Sequence, residues 1–168
     1  TFIARTIDKE SKHMQEMITE SYNHKGTSFL EIYQNCNIFN DGAYSDFTDR
    51  DTKSDTVLWL KDGEPMVFGA DSNKGIRLDG NIPTVVELGD KWSKDDLLIH
   101  NKRDYMIASM LSNMTSKPET PEPIGVLYAI DAPTYEDNIS NQIKSAIDIK
   151  PKGSIQDIIN SGDTWVVK

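Results

Sequence analysis

Residues 1–42 read TFIARTIDKESKHMQEMITESYNHKGTSFLEIYQNCNIFNDG. Two apolar runs, Phe2-Ile3-Ala4 and Phe29-Leu30 with Ile32-Tyr33, bracket a stretch of helical spacing. Ile7, Met14, Met17 and Ile18 recur at helical intervals, with Lys9, Lys12, Gln15, Glu16 and Glu20 on other faces. The spacing predicts a helix from about Ile7 to Tyr22, capped by Asp8. His24-Lys25-Gly26 is a fitting stop, because glycine takes the left-handed residue and cations suit the negative helix end. A strand over residues 1–5, that helix, and a strand over 28–33 make a βαβ unit with parallel strands.

Working outward, Gln34-Asn35-Cys36-Asn37-Ile38-Phe39-Asn40-Asp41-Gly42 is polar and rich in turn residues. It leaves the C-terminal end of a parallel strand, where open α/β sheets place their ligands. Residues 44–55 read as a polar connector. Two hairpins are expected outside the main sheet: residues 56–69, turning at Asp62-Gly63, and residues 75–88, turning at Asp79-Gly80. A short helix from Ser93 and a longer one from Arg103 to Met114 follow. Lys117 to Pro123, with three prolines, is a linker, and Ile124 to Ile130 a strand. Asp137 to Ile147 reads as an amphipathic helix through Ile139, Ile143 and Ile147, and Ile155, Ile158 and Ile159 as a last short one before Gly162.

Composition bounds the function. The 168 residues are one domain or part of one, and 37% hydrophobic residues can build a core. Lys+Arg 18 against Asp+Glu 27 leaves a net charge of −9, spread along the chain. Such a surface repels phosphate, so nucleic acid is not expected as a partner. No apolar run approaches the ~18–20 residues that span a membrane. A single cysteine excludes an internal disulfide framework and a Cys-only metal site built by this chain alone. With no signal peptide visible, a reducing intracellular compartment is expected, and the sequons at Asn113 and Asn138 read as inert.

Cys36 is the residue to weigh for chemistry. A lone cysteine is most often a small buried hydrophobe. This one lies beyond a strand end between Asn35 and Asn37, which suits a nucleophile or a metal ligand. A nucleophile needs a base, for which His24 and His100 are candidates. A metal ligand needs three more ligands, and this chain has no other cysteine to give, whereas iron–sulfur clusters are usually held by four thiolates. His13 reads as solvated, His24 as a helix-terminal cation and His100 as a half-buried structural residue. Asp46, Asp49, Asp51 and Asp55 read as a solvated acidic loop, since the glycine and terminal glutamate of an EF-hand are missing. Neither G-x-x-x-x-G-K-[ST] nor G-x-G-x-x-G is present.

Thr1-Phe2-Ile3-Ala4-Arg5, His24-Lys25-Gly26-Thr27-Ser28-Phe29 and Glu31-Ile32-Tyr33-Gln34-Asn35-Cys36-Asn37-Ile38-Phe39-Asn40-Asp41-Gly42 together resemble the β subunit of 2-oxoacid:ferredoxin oxidoreductases, in form the 2-oxoglutarate type. Lys74-Gly75-Ile76, Val86-Glu87-Leu88-Gly89, Pro123-Ile124-Gly125-Val126, Pro133-Thr134-Tyr135 and Gly162-Asp163-Thr164-Trp165 extend the likeness more loosely. The resemblance implies an α/β chain that is part of a thiamine-diphosphate-binding parallel-sheet fold, with a C-terminal extension of β-hairpins and helices. Residues 1–45 would be the C-terminal part of the cofactor-binding core and 46–168 the extension. It implies a cytoplasmic enzyme that oxidatively decarboxylates a 2-oxoacid with coenzyme A and passes electrons to ferredoxin, alongside an α subunit. The full complex would use thiamine diphosphate, Mg²⁺ and a [4Fe–4S] cluster.

By this resemblance Cys36 matches the last of four cluster-ligating cysteines. The C-x-x-C pair and the G-D-G…N motif of the family's earlier half are absent. The chain is therefore expected to be a C-terminal half, inactive alone, with no catalytic or cofactor-gripping residue of its own. Asn40 and Asp41 match the pattern, and turn formation accounts for them. The alternatives are a non-enzymatic interaction domain of the same fold and a thiol enzyme using Cys36. Three structural expectations follow. The first two strands pair in parallel. Apolar side chains around Phe2, Phe29 and Ile32 are exposed, or hidden in an oligomer. Cys36 is accessible and has no histidine at hydrogen-bonding distance.

Overall fold

Phe2–Ile7 (β1), Ser11–Asn23 (α1) and Ser28–Tyr33 (β2) form the expected βαβ unit in a computed structural model that describes residues 1–115, 119–150 and 153–167. β1 and β2 are parallel and in register from Phe2 opposite Ser28 to Ile7 opposite Tyr33. Met17 of α1 packs on Phe2 and Ala4, with Leu30 beside them, so the helix covers the even-numbered face of β1. The helix starts later than expected. Its N-cap is Glu10, without a side-chain cap. Asp8 does not cap it, because the Asp8 N–H donates to Tyr33 O at 3.0 Å and prolongs the sheet instead. Gly26 has φ 139°, and a Cβ there would lie 2.1 Å from Thr1 Oγ1, so only glycine fits this turn.

The polar connector contains two helical turns, Ser45–Thr48 (α2) and Lys53–Thr56 (α3). Two of its acids are met by lysines: Lys9 Nζ lies 3.3 Å from Asp49 Oδ1, and Lys74 Nζ lies 3.0 Å from Asp55 Oδ1. Val57–Trp59 (β3) and Val67–Phe68 (β4) do not form the expected hairpin. β3 instead pairs in parallel with Glu122–Ala129 (β7), with Val57 opposite Glu122. The segment between β3 and β4 runs along residues 98–100: Gly63 N donates to His100 O at 2.8 Å, His100 N to Glu64 O at 2.9 Å and Met66 N to Leu98 O at 2.9 Å. Pro65, with no N–H, weakens any ladder back onto β3. β4 pairs antiparallel with Lys74–Asp79 (β5), and β5 with Ile82–Glu87 (β6). The second expected hairpin is thus β5–β6, and Gly80 opens its two-residue loop with φ 62°.

The main sheet has the order β2-β1-β7-β3, and β4-β5-β6 form a separate sheet. β7 runs antiparallel to β1, with a register shift between Ile3 and Ala4. The parallel-sheet expectation is corrected here: the sheet is mixed, and two of its strands come from beyond residue 45. A 3₁₀ turn at Lys94–Asp96, capped by Ser93, and Tyr105–Ser112 (α4), capped by Asp104, match the two expected helices. Asp104 Oδ1 accepts from Met106 N at 2.8 Å. The expected linker lies partly outside the described residues, and Glu122 and Pro123 at its end already belong to β7.

Three apolar clusters form the core of residues 1–132. Leu58, Met66, Phe68, Ile76, Leu111, Met114 and Leu127 pack between the two sheets and α4. Phe2, Ala4, Met17 and Val126 pack under α1, and Ile7, Tyr33, Val57 and Ile124 pack on the other face. Phe29 and Ile32 on the edge strand β2 are exposed (62% and 42%), as expected, but Phe2 is buried. Residues 133–168 are a second compact unit. It holds Tyr135–Ile149 (α5) and Ile155–Ile159 (α6), whose capping boxes are Thr134 with Asp137 and Ser154 with Asp157.

Candidate functional site

The loop over residues 34–42 leaves the C-terminal end of β2, as its composition implies. Asn35 organises it. Its Oδ1 accepts from Gly42 N at 2.9 Å, and its Nδ2 donates to Asn37 Oδ1 at 2.7 Å and Asp41 Oδ1 at 2.8 Å. Asn40 N donates to Cys36 O at 3.0 Å. Asp41 is therefore a loop-closing residue here, consistent with a turn role. The Cys36 thiol is exposed. Backbone N–H groups of Phe39, Ile38 and Asn40 hold it below the ordinary thiol range, because each donor favours the thiolate. Ile38 and Phe39 point their side chains into solvent beside it.

Neither histidine named as a base serves Cys36. His24 Nε2 lies 2.9 Å from Thr1 Oγ1, and His100 Nε2 donates to Val126 O at 2.8 Å from a buried position. His13 is half-buried and not solvated: its Nδ1 lies 2.8 Å from Thr6 Oγ1, and its ring meets Trp59 edge-on at 5.1 Å. His13, Met17, Trp59, His100 and Lys102 line a separate cavity of about 430 Å³. Among the described residues no group of three or more His, Cys, Asp or Glu could hold a metal ion, so Asp46, Asp49, Asp51 and Asp55 form no such site. Cys36 can offer one thiolate, ringed by amide donors, to a group whose other ligands come from elsewhere.

Sequence reading missed the network beneath the loop. Arg5 donates to Glu122 and, at 2.7 Å, to Glu31 Oε2. Tyr33 Oη donates to Glu122 Oε1 at 3.0 Å, and Thr115 Oγ1 donates to it at 3.1 Å. Glu122 Oε2 is buried without a hydrogen-bond partner. Burial pushes the Glu122 carboxyl up, while Arg5, Tyr33 and Thr115 pull it down. Burial and the neighbouring Glu122 raise the Tyr33 phenol far above its ordinary range. Tyr33 ends β2 and stacks on Tyr44 with ring centroids 4.5 Å apart. The two ends of the cysteine loop are thereby clamped over a buried charge cluster. The available signal was an arginine inside an apolar strand and a glutamate between two prolines at the start of another.

No family model matches the chain. It is 29% identical to the "2-oxoglutarate oxidoreductase subunit KorB" of Mycobacterium tuberculosis, over 99% of this chain and 45% of that protein. It is 25% identical to the "2-oxoacid:ferredoxin oxidoreductase subunit beta" of Saccharolobus solfataricus, over 90% of this chain and 39% of that protein. Among solved structures, a 2-oxoglutarate:ferredoxin oxidoreductase from Magnetococcus marinus, with 2-oxoglutarate, coenzyme A and succinyl-CoA bound, superposes with a TM-score of 0.56 at 18% identity. That match covers 98% of this chain and 41% of the other, and it speaks to the fold. The chain thus spans less than half the length of the proteins it matches, and over that span it is similar to a 2-oxoglutarate oxidoreductase subunit and to the β subunit of a 2-oxoacid:ferredoxin oxidoreductase.

Proposed function

We propose that this chain is the C-terminal half of the β subunit of a cytoplasmic 2-oxoacid:ferredoxin oxidoreductase that acts on 2-oxoglutarate. The reaction is oxidative decarboxylation with coenzyme A, giving an acyl-CoA and CO2, with the electrons passed to ferredoxin. The observation that carries this reading is similarity along 99% of the chain to a 2-oxoglutarate oxidoreductase subunit. Residues 1–45 would end the thiamine-diphosphate-binding core and 46–168 would form the extension. An α subunit and the earlier half of the β subunit complete the enzyme, and the isolated chain is inactive.

In this reading Cys36 is one ligand of a [4Fe–4S] cluster. The fit is chemical: an exposed thiol, held toward thiolate by three amide donors, meets the requirement for a deprotonated sulfur with tuned hydrogen bonding. The single cysteine of this chain means that the remaining ligands are supplied by other segments. When bound, thiamine diphosphate with Mg²⁺ supplies the carbanion chemistry and the cluster supplies one-electron storage. The residues of this chain contribute position. Asn35 holds the loop closed, and the Tyr33–Tyr44 stack with Glu122 and Arg5 beneath fixes where Cys36 emerges.

The experiment is Cys36→Ser in the assembled complex, with iron content and ferredoxin reduction measured together. Loss of most ferredoxin reduction together with lowered iron is expected, with decarboxylation less affected. Unchanged values for both would remove Cys36 from the site. The thiol-enzyme alternative lacks a base at Cys36, and the stand-alone interaction domain is not favoured by the relatives.

A further inference from the structure

We infer that α5 is a self-association element that pairs antiparallel with the α5 of a second copy of this chain, about a two-fold axis at Ile143. Ile139, Ile143 and Ile147 are spaced by four residues and lie along one stripe of the helix. All three are exposed, at 36%, 56% and 54%, and no residue of α5 is buried. Leaving such a stripe in water forfeits the stabilisation that burial of isoleucine provides.

The choice of a second copy comes from the symmetry of the stripe. Ile139 and Ile147 stand equally far before and after Ile143, and so do Glu136 and Lys150. Reversing a second helix about Ile143 sets Ile139 against Ile147 of the second copy and Ile143 against itself. The same operation brings Glu136, in the first turn, to Lys150 of the second copy, at the C-cap. A two-fold interface must be self-complementary in this way, and a parallel arrangement would place Glu136 against Glu136. Flanking charges of opposite sign set orientation in paired helices. The whole chain carries −9, so most of its surface repels a second copy, yet residues 135–150 hold only three acids against two lysines. The inference is independent of the proposed reaction.

The test is sedimentation velocity of the 168-residue chain over a range of concentrations, where a monomer–dimer equilibrium is expected. Ile143→Asp places two carboxylates at the axis, and Glu136→Lys opposes two lysines; each should raise the dissociation constant at least ~10-fold. Glu136→Lys combined with Lys150→Glu restores the complementarity, and should bring it back to within about threefold of the parent. In a Cys36→Ser background, Ile143→Cys should form a disulfide-linked dimer under mild oxidation, whereas Asn141→Cys on the opposite face should not. Far-UV circular dichroism checks that each variant keeps its helix. A chain that stays monomeric at every concentration overturns the inference. So does a dimer indifferent to Ile143→Asp, or a double charge reversal that fails to rescue.

Discussion

His100 donates from Nε2 to a carbonyl, so the proton sits on that nitrogen and the buried Nδ1 keeps an unused lone pair. Burial holds the ring below the ordinary histidine range; Asp62 favours the charged form and Lys102 opposes it. Burial also lowers His13, against the pull of Glu16, Glu10 and Glu20. In the unfolded chain both rings bind a proton near pH 6.5, at about the ordinary value. The folded chain binds it only at lower pH, so the unfolded state holds more protons as pH falls below about 6.5, and stability is lost from there downward. The thermal midpoint should therefore fall between about pH 7 and about pH 5.5, and the fall should be shallower in His100→Gln. A midpoint that stays level across that interval would contradict the buried neutral ring. Sequence reading placed His100 beside an apolar run and so expected partial burial. It left His13 in water, because nothing local shows that this turn of α1 meets Thr6 and Trp59.

At the scale of elements, β7 is the strand on which the first unit depends. It lies between β1 and β3, and its Ile124 O accepts from Leu60 N at 2.8 Å. Gly125 takes φ 129°, and a Cβ there would come within 3.0 Å of both Leu60 Cβ and Leu60 O. The neighbouring hydrogen bond to Ile124 keeps Leu60 from retreating. Gly125→Ala should therefore destabilise the chain by about 1–3 kcal/mol, read from urea unfolding. A change within error would show that the strand can flatten at this point. The β5–β6 hairpin was legible because its turn, its alternation and its partner all lie within a dozen or so residues. The β3–β4 hairpin looked equally good by the same signs. It failed because β3 finds a better partner in β7, more than sixty residues away, while Pro65 spoils the return strand.

For the molecule as a whole, the named members of all three apolar clusters lie within residues 1–132, and none of the described residues of 133–168 is among them. A chain ending at Ala132 should keep cooperative unfolding, with its thermal midpoint within about 2–4 °C of the parent, a shift equivalent to about 1 kcal/mol. Loss of cooperativity would mean that the second unit is part of the first unit's core. The sequence by itself determined the βαβ opening, the short helix from Ser93, the amphipathic helix through Ile139, Ile143 and Ile147, the exposed turn-rich loop at Cys36 and the acidic surface. Each of these depends on residues a few positions apart, through helical period, turn chemistry or plain charge count. Tertiary structure alone decided that the sheet is mixed, that Arg5 and Glu122 meet although 117 residues separate them, and that Tyr33 and Tyr44 clamp the cysteine loop. Those outcomes follow from which distant strand best buries a shared apolar face and satisfies a buried charge. That competition is settled only when the whole unit packs at once.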